Sequence, residues 1–257
     1  IAGAMSKEGI ITFFSDFGVF GVDETYNQQR LNDINNTNLK LVTTHVGLDV
    51  GEDGKTHQCI DYIGLMQNLF NYKIIIPADA NQTDKIIRYI ASENGNFFIP
   101  LGRSKTEIIL DENNEVFYNE NYLFKYGKAY KLRSGNDATI IATGIMVEKA
   151  LKVYDILKSE GIIISVWNFS CVSEINDNDL KDAASTGYIF TYEDHNVNTG
   201  VGCIITSKLM EYGINCKLIK FGVTQYGVSG KSEEVYKVQG LDHESVANKI
   251  INILLNK

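Results

Sequence analysis

Short, unbroken apolar runs alternate with stretches in which apolar residues recur every three or four positions, and the alternation continues from one end of the chain to the other. In the first half, runs at 10–14, 39–44, 72–76 and 96–101 predict strands, the third ending at Pro77. Helices are predicted over 22–33, 58–69 and 84–92, with Ile60, Ile63, Met66 and Leu69 marking one face of the second. Residues 1–6 read as the interior of an apolar helix, so the sequence is expected to begin inside a domain. A polar stretch rich in Asn and Asp, DENNEVFYNE at 111–120, predicts a connection with a short hairpin. The second half repeats the pattern, with strands at 138–142, 162–167, 188–192 and 216–221. Its helices are marked by the Val147, Ala150, Leu151, Tyr154, Leu157 face and by 177–184, 201–211 and 243–255. Strands buried on both faces of a parallel sheet read as continuous apolar runs. The fold class is therefore α/β, with two domains, each a mostly parallel sheet flanked by helices, at 1–110 and 129–257 with a linker at 111–128.

Composition narrows the functions. With 257 residues, 44% hydrophobic and 22% charged, the chain has material for a substantial core. A net charge of -8 provides no general attraction to nucleic acid or anionic lipid, so neither is an expected partner, and a bound phosphate needs a local cluster. Cys59, Cys171, Cys203 and Cys216 include no pair at Cys-x-x-Cys spacing, which excludes zinc-ribbon and thioredoxin-type readings. Packing roles and a reducing, cytoplasmic setting are expected for them. No apolar run approaches the ~18 residues a membrane span needs.

Candidate chemistry gathers in THVGLDVGEDGKTHQ, residues 44–58, where two of the four histidines, His45 and His57, stand twelve residues apart. The segment follows a predicted strand and precedes a helix, where parallel sheets build ligand crevices. Gly47, Gly51 and Gly54 permit sharp turns and close approach. Glu52, Asp53, Thr56 and His57 offer acid, base and hydroxyl groups suited to a polyhydroxylated, anionic substrate; the same residues also suit a solvated loop capping the next helix. Phe14, Phe17 and Phe20 recur at three-residue spacing, as in a core or as a wall for a flat heterocycle, and Asp16 among them is unusual for pure core. Arg103 closes a strand, where a planar guanidinium either binds phosphate bidentately or is simply solvated. In TYEDHNVNTGVG, Glu193, Asp194 and His195 follow a strand and Gly200 and Gly202 open a helix; a structural, interface role is expected there, and a surface position for His243.

Residues 44–58 resemble the transketolase family, matching its segment at His45, Gly51, Glu52, Asp53, Gly54, Thr56, His57 and Gln58, with Asp49 in place of one family glycine. PADANQT at 77–83 resembles the family's Pro-Ala-Asp-x-x-Glu-Thr, with Gln82 for Glu. Deoxyxylulose-phosphate synthases have a similar loop without the first histidine, and the beta subunits of 2-oxoacid dehydrogenases a different loop. The resemblance implies a thiamine-diphosphate pyrimidine-binding fold followed by a transketolase C-terminal-like fold, and ketol transfer between sugar phosphates of carbohydrate metabolism, as in the pentose phosphate pathway. It implies that Phe14, Phe17 and Phe20 surround the pyrimidine, that His57 is catalytic, and that Asp53, His45 and Arg103 bind substrate, the last two through its phosphate. It assigns no metal ligand to this chain: the Gly-Asp-Gly and Asn motif that holds thiamine diphosphate through Mg2+ is absent from the sequence. A diphosphate-binding subunit or domain is thus the implied partner, in a homo- or hetero-oligomer such as a dimer, and this chain alone is expected to be inactive. The family's catalytic glutamate belongs upstream of Ile1, and Glu8 does not occupy its place. A synthase of the same cofactor class and a non-catalytic assembly subunit are the alternatives.

Overall fold

In the computed structural model, which describes residues 1–255, the first half forms a four-stranded parallel sheet. Its strands are β1 (Thr12–Phe17), β2 (Leu39–Thr44), β3 (Tyr72–Ile74) and β4 (Asn96–Pro100), in the order β1-β2-β4-β3. Around it lie α1 (Ala2–Lys7), a π-helical turn (Val19–Glu24), α2 (Tyr26–Ile34), a 3-10 turn (Leu48–Asp53), α3 (Tyr62–Met66) and α4 (Ala80–Ser92). Two predicted helices are altered by local bonding. The helix expected over 22–33 breaks because the Thr25 hydroxyl (2.6 Å) and Gln29 Nε2 (3.2 Å) both donate to the Gly21 carbonyl, competing with the regular backbone ladder. The helix expected over 58–69 shrinks to α3 because its start is held extended: the Cys59 and Ile60 carbonyls accept the amides of Gly47 and Asn196, each at 2.7 Å. α4 begins earlier than expected, since Asp79 caps it by accepting the Gln82 amide at 2.7 Å.

The second half forms a five-stranded sheet from β5 (Tyr130–Arg133), β6 (Thr139–Ala142), β7 (Ser165–Asn168), β8 (Tyr188–Asn196) and β9 (Lys217–Val223). The order is β5-β7-β6-β8-β9, parallel except for β5. Its helices are α5 (Met146–Ser159), α6 (Asp177–Ala184), α7 (Val201–Glu211), α8 (Ser232–Gln239) and α9 (His243–Leu255). β5 and α8 are unexpected: only Leu132 of β5 and only Val235 and Tyr236 of α8 are buried, too few to mark a period. β8 runs farther than predicted, so Glu193, Asp194 and His195 lie within the strand rather than after it.

The connection carries the expected hairpin: Leu110 bridges Val116, Asn114 has φ 62°, and Asp111 Oδ1 accepts the Asn113 and Glu115 amides at 2.8 and 2.9 Å. Beyond it, Tyr118 and Tyr122 pack edge-on at 4.8 Å, and Tyr118 accepts a 2.6 Å bond from Asn168. The two sheets share their cores. Leu48, Ile60 and Ala78 pack with Ile140, Val147 and Tyr192, while Ile63, Met66 and Ile74 pack with Trp167, Phe169 and Ile205. Among the described residues, no helix is long and apolar enough to cross a membrane.

Candidate active site

Parallel register brings the candidate residues together. Phe17 stands beside Thr44, and Thr43 beside Pro100, so the segments carrying Phe17, His45 and Arg103 leave the sheet at adjacent strand exits. His45 adopts φ 57°, a left-handed conformation uncommon outside glycine, though less so for histidine than for most residues. Its ring lies on Phe17, with centroids 3.8 Å apart and planes 13° apart. Phe17 stacks on Phe20 at 6.1 Å, and Phe20 meets His57 edge-on at 5.6 Å. The four rings form a continuous row, His45–Phe17–Phe20–His57, all half-buried. Phe14 lies outside this row; it packs against the core shared by the two sheets and lines a groove with Ile1, Met5 and Gln29.

Between the histidines the chain makes the 3-10 turn, entered through Gly47 at φ 73° and kinked at Gly51, where φ is 67°. A Cβ at Gly47 would lie 2.1 Å from Asp194 Oδ2, so a side chain there would displace the carboxylate. Arg103 is held at both ends: its amide donates to Asp49 Oδ2 at 2.6 Å, and its guanidinium donates to the Val50 carbonyl at 2.8 Å and to the Glu52 carboxylate. Glu52 is held below the usual carboxylate range by its own backbone amide and by Arg103. Burial, then the neighbouring Arg103 charge, lowers the pKa of His45, against the opposing pull of Asp53 and Asp49, which favours the neutral ring at neutral pH. Asp53 is exposed at the end of the turn. His57 turns Nδ1 to the Thr56 hydroxyl at 3.0 Å, leaving Nε2 open.

The second half supports this loop from below. Asp194 accepts the Leu48 amide at 2.9 Å and the Tyr236 hydroxyl at 2.6 Å. His195 Nε2 accepts the Ile63 amide at 3.0 Å while Nδ1 faces the Asn196 carbonyl at 3.0 Å, so the ring is neutral with its proton on Nδ1. Glu193 accepts the first two amides of α7, from Val201 and Gly202, and a Cβ at Gly200 would intrude to 1.9 Å from its Oε2. Burial raises Asp194 to about 6 and Glu193 to about 7, and lowers His195 to about 4. The Ser232 hydroxyl reaches the Asp49 carbonyl at 2.8 Å, and Gln58 donates to the Val228 carbonyl at 3.0 Å.

Two groupings have no signal in the sequence. Asp49, read there only as a departure from a glycine, anchors the Arg103 segment. Cys59, expected as packing, lies with Asp23 and Asp61, their ligand atoms within 4.8 Å of one another. Cys59 donates to Asp23 at 3.3 Å, and burial keeps its thiol well above the ordinary range while raising Asp23 to about 6.

The transketolase pyrimidine binding domain family matches residues 1–107, and the transketolase C-terminal domain family matches residues 127–246. A protein of Methanocaldococcus jannaschii described as a transketolase C-terminal section is 34% identical over 253 residues, covering 98% of this chain and 78% of that protein. Human transketolase is 27% identical over 257 residues, but the chain spans only 40% of its length. A solved split gene transketolase, described as an inactive beta4 tetramer, superposes with a TM-score of 0.86 at 30% identity, covering 99% of this chain and 79% of that one. With both domain families matched in order along the chain and the same architecture found in a split relative, the chain belongs to the transketolase family.

Proposed function

We propose that this chain is the C-terminal section of a transketolase, transferring a two-carbon ketol unit between sugar phosphates with thiamine diphosphate, in concert with a diphosphate-binding subunit or domain. The observation that carries the reading is the row His45–Phe17–Phe20–His57 with Arg103 at the adjacent strand exit. Its half-buried aromatic faces fit the pyrimidine of thiamine diphosphate, a flat heterocycle that favours offset stacking. When bound, that cofactor supplies the carbanion chemistry.

This chain's residues bind, orient and move protons. Phe17 and Phe20 hold the pyrimidine; Phe14 keeps that assignment from the family resemblance alone. His57, with Nδ1 turned to Thr56, has Nε2 open to exchange a proton with a substrate oxygen. Asp53 accepts a sugar hydroxyl and so reads stereochemistry. Arg103 and neutral His45 hold the terminal phosphate, with the Glu52 carboxylate competing for the guanidinium. Mg2+ and the diphosphate fall to the partner, and the split relative supports an oligomer with a separate subunit. Residues 1–110 and 129–257 act as pyrimidine-binding and C-terminal domains about the 111–128 linker, in a cytoplasmic enzyme of carbohydrate metabolism.

The test is turnover of xylulose 5-phosphate and ribose 5-phosphate by the full-length protein, with thiamine diphosphate and magnesium, with and without a co-purified diphosphate-binding subunit. Activity is expected only in the mixture. Turnover with pyruvate as the donor instead would establish a synthase, and no turnover despite bound cofactor and partner would establish a non-catalytic subunit.

A further inference from the structure

We infer that Asp49 is a positioning residue for phosphate recognition: its buried carboxylate fastens the backbone that carries Arg103 and so sets the preference for phosphorylated over unphosphorylated sugars. The inference rests on the assignment of Arg103 to the substrate phosphate. Asp49 is only 1% exposed, and its Oδ2 accepts the amides of both Arg103 and Ser104, each at 2.6 Å. Such short bonds to a carboxylate are the strong, charge-assisted kind. The approach is close enough that a Cβ at Gly102 would lie 2.8 Å from the same oxygen.

Leu101, at the start of the segment after β4, is tied to Thr43 and Val46, and Asp49 extends that hold to the amides of Arg103 and Ser104. With Asp49 in place, residues 49–52 hold Arg103 twice, at its amide and at its guanidinium. The staple is itself backed by the second half, since the Asp49 carbonyl accepts the Ser232 hydroxyl at 2.8 Å. Binding a phosphate through a long, rotamer-rich side chain costs ordering, and a fixed backbone removes part of that cost before the ligand arrives. Asp49 Oδ1 is buried without a partner, so the carboxylate is not a group that packing alone would favour.

The test uses the full chain and follows the His45 imidazole resonance by NMR during titration with ribose 5-phosphate and, separately, ribose. D49G is expected to weaken ribose 5-phosphate binding about tenfold with little change for ribose, the loss of two charge-assisted bonds being partly offset by relaxation. D49N keeps an oxygen able to accept both amides and is expected to stay within about twofold. D49S accepts fewer bonds, loses about threefold, and carries the test should D49G not fold. In an R103A background, D49G is expected to have no further effect on ribose 5-phosphate binding. Equal weakening of both sugars, or no selective loss in D49G or D49S, would overturn the inference. A wild-type chain with no preference for the phosphorylated sugar, or an R103A variant that retains it, would overturn the assignment of Arg103 as well.

Discussion

Each half of the chain places two acidic residues and a histidine near the carboxyl end of a parallel strand, yet the two sets do opposite work. After β2, Glu52 and Asp53 are exposed and His57 is half-buried with one nitrogen open. On β8, Glu193, Asp194 and His195 are 1%, 5% and 0% exposed, and each accepts backbone amides. The first strand ends and a glycine-containing turn lifts its polar groups toward solvent; the second continues into the shared interior, where a lone pair must meet a donor or pay the full desolvation penalty. Residue type therefore does not separate an exposed candidate site from buried support. Two members of the second set brace the elements around the first, Asp194 bonding Leu48 at the head of the 3-10 turn and His195 bonding Ile63 at the start of α3, while Glu193 holds the start of α7.

The contrast is sharpest if function and stability separate on mutation. His57→Ala is expected to cut turnover of the assembled enzyme by about 10²–10⁴-fold and to leave urea stability within about 0.5 kcal/mol; a large stability loss would erase the distinction. Asp194→Ala strands the Leu48 amide and the Tyr236 hydroxyl in the interior. It should cost about 3 kcal/mol in urea unfolding, and an unchanged midpoint would show that the two halves are not clamped there.

The pH dependence should also divide the sets. Glu193 at about 7 is raised from an ordinary 4.5, so the folded state keeps its proton longer than the unfolded chain. Its contribution to stability is full below pH ~4.5 and lost as pH rises through ~7; Asp194, at about 6, acts in the same direction. His195, lowered to about 4, opposes them, contributing above its ordinary value near 6.5 and less toward acid. Glu193→Gln should therefore gain stability relative to the wild type by roughly 2 kcal/mol between pH 4.5 and 7.5, measured by urea unfolding. A constant difference across that range would place the titration elsewhere. The smallest effect is expected from Glu52→Gln: freed from its carboxylate partner, Arg103 should bind ribose 5-phosphate about two- to threefold more tightly with no change in melting temperature, because an exposed pair contributes little to folding. Weaker binding would mean that Glu52 orients Arg103 rather than competing for it.

Much of the scaffold was legible. β2 occupies the residues its apolar run predicts, β4 ends one residue early, and α6, α7 and α9 match their expected spans. The losses have identifiable causes. α8 buries two side chains and β5 one, so neither leaves a hydrophobic period to read. The start of the 58–69 segment is apolar at helical spacing, but bonds from Gly47 and Asn196 pull it straight. In the candidate site, the loop with both histidines was visible because its glycines and polar groups are contiguous; the Asp49 staple was not, because its partners lie more than fifty residues away.

The sequence by itself determined the alternation of elements, the two mostly parallel sheets and the segment that carries the candidate chemistry, because periodicity, turn residues and motif spacing are all local. Only the tertiary structure decided which acidic residues and histidines meet water and which are committed to backbone amides. Burial and donor supply are properties of neighbours, and here the neighbours come from far along the chain: Asp194 and Leu48 are separated by 146 residues, His195 and Ile63 by 132.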